Sequence, residues 1–198
     1  MDRLEQQINF IVEIDKTKEI FRQTYISNGR RKENDAEHAW HFAIMAVLFA
    51  EYSNEPVDVL KVIKMALIHD LVEIDAGDTY LYDAEGAKTK AEREMKAANR
   101  IYHLLPEDQG KELFALWKEF EERKTPEAKF AATLDRFQPI LLNDVTNGKA
   151  WAEHGISKEQ IMERNIHTKE GSEKIWEYMQ KIFDKNIEKG TIKGDNSL

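Results

Sequence analysis

The amino-acid sequence predicts an all-α protein on three observations. Apolar residues recur at three- and four-residue steps in almost every segment, as in Leu4, Ile8, Ile11 and Ile14 and again in Leu60, Ile63, Leu67 and Leu71, the spacing of one helix face. The runs are punctuated by helix-breaking and helix-starting residues, namely Asn28-Gly29, Pro56, Pro106 and Thr125-Pro126. No internal repeat or low-complexity linker divides the chain, and 198 residues suit one substantial core.

The first helix is expected over residues 2–25, ended by "ISNGRRKEND". Asp35 is expected to cap a second helix through "AEHAWHFAIMAVLFAEYS", and Pro56 suits the first turn of a third. That helix closes in "MALIHDLVEIDAGD", residues 65–78, where an apolar run ends in a histidine and several carboxylates. The loop "DAGDTYLYDAEGAK" follows, with turns permitted at Gly77 and Gly86 and enough length to be functional. Helices are then predicted over about 89–105, stopped by Pro106, over about 108–122, and from Thr125-Pro126 through "FAATLDRFQPILLNDV", with a kink at Pro139. Two last helices, about 157–165 and 167–187, lead to the polar tail "KGTIKGDNSL", which should fray. Trp40, Phe42, Phe49, Phe130 and Phe137 fall at helical spacing and are expected in the core.

Composition narrows the function. Twenty-nine Lys and Arg stand against 37 Asp and Glu, a net charge of −8, and the basic residues are scattered among acidic ones, which argues against a duplex nucleic-acid surface. No stretch approaches the roughly 18 apolar residues of a membrane span, so a cytoplasmic protein is the expectation. With no cysteine, any metal must be held by imidazole and carboxylate.

Four residues stand where a helical core would want apolar groups: His38, His69, Asp70 and Asp135. A buried carboxylate needs a cation or good donors, and a His-Asp pair at a loosening helix end can turn both groups toward one ion. The residues by themselves leave a second reading open, in which His69 bonds a backbone carbonyl and Asp135 pairs with an arginine. Glu73 lies one turn beyond His69 on the same face. His41, one turn after His38, is read as a packed or supporting histidine in preference to a ligand, and His103, His154 and His167 have no matched partners in the sequence.

Taken together, "AEHAWHFAIMA", "ALIHDLVEIDAGD" and "FAATLDRFQPILL" resemble the HD-domain metal-dependent phosphohydrolases, in the branch containing the 5'-deoxynucleotidases. The resemblance covers residues 4–143 and leaves the C-terminal helices outside it. It implies an orthogonal helical bundle, one HD domain over residues 1–198, and a homodimer. It also implies one divalent ion (Mn, Co, Fe, Zn, Ni or Mg) on His38, His69, Asp70 and Asp135. Relatives with more metals carry extra histidines after the His-Asp pair, and here none occurs between Asp70 and His103.

By the same resemblance Glu73 and Asp78 lie close to the attacking water and the substrate, and Arg22 falls near an Arg-Trp pair that handles the substrate. The chain departs from that pattern, because Gln23 follows Arg22 and one residue is inserted before "ENDAEH". Arg30, Arg31, Lys88, Lys90 and Arg136 are further candidates for binding an anion. The expected function is hydrolysis of (deoxy)nucleoside 5'-monophosphates to nucleoside and phosphate. The alternatives are hydrolysis of another phosphorylated metabolite or a nucleoside triphosphate, or a metal-stabilised interaction module without turnover.

Overall fold

Asp2 opens the first helix, α1 (Arg3–Ile14), through a reciprocal cap: its carboxylate accepts from the Glu5 amide, and Glu5 accepts from the Asp2 amide. The computed structural model describes residues 1–82 and 84–194. Helix α1 ends eleven residues before the predicted boundary, giving way to a 3-10 turn (Asp15–Glu19) and then to a two-stranded antiparallel ribbon, β1 (Phe21–Tyr25) and β2 (Lys32–Asn34). Phe21, Thr24 and Tyr25 favour extended backbone, and Asn28-Gly29 turns the ribbon, with Gly29 at φ 67°. Arg22 therefore projects from a strand.

The second helix, α2 (Asp35–Phe49), is capped by Asn34 and Glu37, which displaces the expected cap, Asp35, into the first turn and into the interior. Pro56 precedes the third helix, whose cap is Asp58: α3 spans Val59–Ile68. The chain then tightens into a 3-10 turn (His69–Val72) and a short helix, α4 (Glu73–Ala76), ended by Gly77 at φ 73°. Helix α5 (Ala84–Tyr102) begins earlier than predicted, so Gly86 lies within it and the loop is shorter than expected. Asp83 of that loop lies outside the described residues.

Helix α6 (Glu107–Glu122) and α7 (Pro126–Val145, capped by Thr125) follow, and α7 continues without a break across Pro139. A helix that the sequence did not suggest, α8 (Lys149–His154), stands between two left-handed glycines, Gly148 and Gly155. Then come α9 (Lys158–Asn165), a 3-10 turn (Ile166–Glu170) and α10 (Glu173–Glu188), which starts later than predicted because Ser172 is its cap. The tail does not fray as far as Gly194. Ile192 is buried, and the backbone of Lys193 bonds to Ile156 and Lys158. Residues 195–198 lie outside the described residues.

Helices from both ends of the chain share one apolar core, which includes Phe42 of α2, Met65 of α3, Leu134 of α7 and Met179 of α10. Phe42, Phe130 and Phe137 lie in it and Phe49 packs against it, whereas Trp40 is 65% exposed. The stripes that announced the helices face outward in two cases: Leu4, Ile8 and Ile11 of α1 and Leu60 and Leu67 of α3 are all exposed. Inward, α1 presents Phe10, with Arg3 paired to Asp108 and Gln7 bonded to Gln109. Among the described residues no helix is long and apolar enough to cross a membrane.

Candidate metal centre and adjoining cavity

Three elements bring the four predicted ligands together. His38 lies one turn into α2 with no exposed surface. His69 and Asp70 open the 3-10 turn, whose tighter winding carries both side chains to one side: Nε2 of His69 is 3.0 Å from Oδ2 of Asp70. The Ile68 carbonyl, at the junction of α3 and the 3-10 turn, also accepts from the buried Tyr102 hydroxyl at 2.9 Å. From α7, Oδ1 of Asp135 lies 3.1 Å from Nε2 of His38 and 3.6 Å from Nε2 of His69. Phe42 and Phe120 stand against the His69 ring, at 5.4 and 5.0 Å between centroids, and keep this pole dry.

The other ring nitrogens are engaged. Nδ1 of His69 donates to the Ala66 carbonyl at 2.9 Å, and Nδ1 of His38 donates to Oε1 of Gln138 at 3.0 Å. In the neutral form that ligates a metal, each imidazole would turn its Nε2 lone pair toward carboxylate oxygens, and Nε2 of His69 has no hydrogen-bond partner. That arrangement demands positive charge. Burial alone would lower the His69 pKa, but Asp70 and Asp135 outweigh it and push it up to about 10. Burial favours protonated Asp70 and Asp135, yet both are held below the usual carboxylate range, Asp70 by His69 and Arg22, Asp135 by His38 and His69. Nitrogens of His38 and His69 and an oxygen of Asp135 lie within 4.8 Å of one another, with Asp70 reaching Nε2 of His69 from the side at 3.0 Å, and such a donor set would fit a divalent cation supplying the charge in place of protons.

A second acidic group adjoins this one, with oxygens of Asp35, Asp70 and Glu73 all within 4.8 Å. Burial raises the Asp35 carboxyl, with Asp70 adding to it, to about 8, and raises Glu73 well above its ordinary value, with Asp70 and Asp35 adding to that. Arg22 answers these charges: Nη1 donates to Asp70 at 2.7 Å and lies 3.7 Å from Asp35.

A cavity of about 260 Å³ opens from this pole. Asp70, Glu73, Asp78 and Asp135 line it, and Asp78 reaches it from the loop beyond Gly77. Arg93 of α5 pins that loop by donating to the Ala76 carbonyl and, at 2.9 Å, to the Thr79 hydroxyl. Arg22, Lys90, Arg136 and Arg164 bring positive charge to the wall. Lys90 does so from α5, steadied by Glu94 at 2.7 Å.

Arg30 and Arg31 are not among the lining residues. Both are exposed, and Arg31 is occupied by a two-pronged pair with Glu37 at 2.6 and 2.8 Å. Lys88 is likewise exposed and paired with Glu85. Sequence reasoning passed over buried Glu33, Asp35 and Gln138, and the part of the wall supplied by α8 and α9, including Trp151, Arg164 and Asn165. "ENDAEH" offered a signal for two of them, since acidic residues three and five positions before a buried histidine lie on its flank.

The family profile described as HD domain matches residues 14–176 of this chain. The chain belongs to the HD-domain family. Its HD fold is shared with the crystal structure of a predicted metal-dependent phosphohydrolase from Magnetospirillum magnetotacticum MS-1, at a TM-score of 0.92 and 46% identity over 96% of this chain and 95% of that one. Among curated HD relatives, the 5'-deoxynucleotidase HDDC2 of Homo sapiens is 35% identical over 114 residues, 58% of this chain and 54% of that protein. The HDDC2 of Dictyostelium discoideum is 35% identical over 133 residues, 64% of this chain and 70% of that protein. The chain thus spans about half the length of the human relative it matches.

Proposed function

We propose that the protein is a divalent-metal-dependent phosphomonoesterase that hydrolyses (deoxy)nucleoside 5'-monophosphates to nucleoside and phosphate. The observation that carries this reading is the convergence of His38, His69, Asp70 and Asp135 at one pole of a cavity whose adjoining wall holds two further carboxylates and four cationic side chains. The resemblance to proteins named 5'-deoxynucleotidase supports the substrate class.

When bound to those four residues, one divalent ion (Mn, Co, Fe, Zn, Ni or Mg) supplies Lewis-acid polarisation of phosphoryl oxygens and activation of water. The chain's own groups do the rest. Arg22, Lys90 and Arg136 draw the phosphate to the acidic pole and orient it. The P–O5' bond breaks as a P–O bond forms to water, and the departing O5' takes up a proton. Glu73 and Asp78 face the cavity beside the ligands, where they receive the proton from water and deliver one to O5'. A closed structural metal site has no use for these extra carboxylates, which favours turnover over a mere staple. The protein is further proposed to act as a homodimer, on the exposed apolar side chains of α1, α2 and α3.

The test is phosphate release from deoxy- and ribonucleoside mono- and triphosphates by metal-stripped protein resupplied with Mn, Co, Mg or Zn in turn. The expected result is metal-dependent release from monophosphates. Release from triphosphates alone, or silence across the panel with metal bound, would overturn the reading.

A further inference from the structure

Glu33, in strand β2, is 2% exposed, and its carboxylate lies between two arms of the acidic pole, with Oε1 3.9 Å from Nδ1 of His38. On one side Oε2 accepts from Nε2 of Gln138 at 2.8 Å, and Oε1 of the same amide accepts from Nδ1 of His38 at 3.0 Å. On the other side Oε1 lies 3.7 Å from Nε of Arg22, whose Nη1 donates to Asp70 at 2.7 Å. Neither Glu33 Oε1 nor Arg22 Nε has a hydrogen-bond partner, so they answer each other by charge alone. One carboxylate therefore touches the groups that orient two ligands coming from different elements.

An amide can face a ring nitrogen with its oxygen or with its NH2 group, and the two choices dictate opposite tautomers. Gln138 has no exposed surface, and Glu33, an acceptor only when ionised, requires the NH2 group on its own side. The Gln138 oxygen must then face His38, Nδ1 must carry the proton, and Nε2 is left bare toward Asp135. Gln138 Nε2 also approaches Nδ1 of His41 at 3.1 Å, an acceptor when His41 carries its proton on Nε2, which is compatible with the same choice. Across the pole, the Glu33 charge shares the Arg22 guanidinium with Asp70, so that arginine is not left wholly to a ligand oxygen.

We propose that Glu33 is a positioning residue for the metal centre: through Gln138 it fixes the His38 tautomer that ligates, and through Arg22 it keeps Asp70 open to the ion. This rests on the metal-dependent reading above and assigns Glu33 no contact with substrate.

The test measures Co²⁺ affinity by calorimetry and metal-free unfolding in the full chain, for the wild type, Glu33→Gln, Gln138→Leu and the double variant. A glutamine at position 33 keeps shape but can present its own NH2 group, which removes the constraint on the amide and the charge beside Arg22. Each single variant should bind Co²⁺ about 10- to 100-fold more weakly, the range for loss of a group supporting a metal ligand. Because both act partly through His38, the double variant should lose less than the product of the two. Imidazole ¹⁵N spectra of the protein loaded with diamagnetic Zn²⁺ should show His38 with Nδ1 protonated and Nε2 bound in the wild type, and loss of that form in Gln138→Leu.

A purely structural Glu33 predicts the reverse: a lower metal-free unfolding temperature with unchanged Co²⁺ affinity, and that result would overturn the proposal. Should Glu33→Gln fail to fold, Gln138→Leu decides through its affinity and its spectrum. Failure of the wild type to bind Co²⁺ or Mn²⁺ would sink the metal reading and this proposal together. Equal binding by wild type and variants would sink this proposal alone.

Discussion

Nε2 of His38 and Oδ1 of Asp135 meet at 3.1 Å, although 97 positions separate the two residues in sequence. A contact between α2 and α7 that brings a lone pair toward a carboxylate is repulsive unless a cation or a proton lies between them. The pair is consequently the most direct reporter of metal binding. Asp135→Asn should lower affinity for Mn²⁺ or Co²⁺ by more than the 10- to 100-fold expected for a supporting partner. In the wild type, metal at about 100 times its Kd should stabilise by about 2.7 kcal/mol. Differential scanning fluorimetry with and without chelator checks both statements, and an equal metal-induced rise in Tm for Asp135→Asn would remove Asp135 from the ligand set.

Glu73 stands beside the four ligands but is not needed to close their shell. Glu73→Gln keeps its volume while removing its capacity to exchange a proton. We expect kcat on a responsive monophosphate to fall by about 10²- to 10⁴-fold, the usual worth of a positioned acid or base, with Co²⁺ affinity within a few-fold of wild type. Unchanged hydrolysis would strike Glu73 from the mechanism.

What the sequence disclosed about the site, and what it withheld, follows from locality. His38, His69, Asp70 and Asp135 were readable because each interrupts an apolar run, and burying a charge there requires a partner. Glu33 and Asp35 escaped notice as site residues because "RRKENDAEH" reads as a polar turn leading to a helix cap; the ribbon of β1 and β2, invisible to helical periodicity, carries Glu33 inward, and capping at Asn34 puts Asp35 in the buried first turn of α2. The stripe Leu4, Ile8, Ile11 correctly announced a helix but not its orientation, since period alone cannot say whether a face meets the core or a partner. Helix α8 has only six residues and no side-chain cap, so neither signal that marks helices in sequence was present.

Arg22 is the cation among Glu33, Asp35 and Asp70, its side chain 15% exposed. Arg22→Leu leaves those buried carboxylates uncompensated. The metal-free protein should lose about 3–5 kcal/mol, the cost of breaking a buried pair from one side. Urea unfolding measures it. A loss under about 1 kcal/mol, the value of an exposed pair, would show that the carboxylates are neutralised by protons rather than by Arg22.

His167 offers a pH signature from a residue outside the ligand set. Burial, then Arg136 and Arg123, lower its pKa from 6.5 to about 4, with Asp135 opposing. Its Nε2 has no hydrogen-bond partner. A depressed folded-state pKa means that the unfolded chain takes up the proton first as pH falls. Stability is therefore full above about pH 6.5 and declines as pH drops toward 4. His167→Gln should unfold with a shallower loss of stability across that window, read as the difference in urea midpoint between pH 7 and pH 4.5. Parallel curves for the two proteins would show that His167 does not contribute.

Trp40, Ile44, Val47 and Leu48 lie along one side of α2 and are all exposed, as are Leu60 and Leu67 on α3, which packs directly on α2, and Leu4, Ile8, Ile11 and Val12 on α1. Apolar stripes on two packed helices, α2 and α3, are rarely left in water, and contiguous patches of this kind mark interaction surfaces. A homodimer would bury them in an isologous contact, in which Ile44 of each copy enters the same apolar environment. Ile44→Glu places a charge there twice. Light scattering after size exclusion should give twice the 23.1 kDa chain mass for the wild type and the single-chain mass for Ile44→Glu. The variant's Co²⁺ affinity should be unchanged, because Ile44 lies outside the cavity lining. A wild type that stays at 23.1 kDa across the accessible concentration range would refute the dimer and leave the stripes to a different partner.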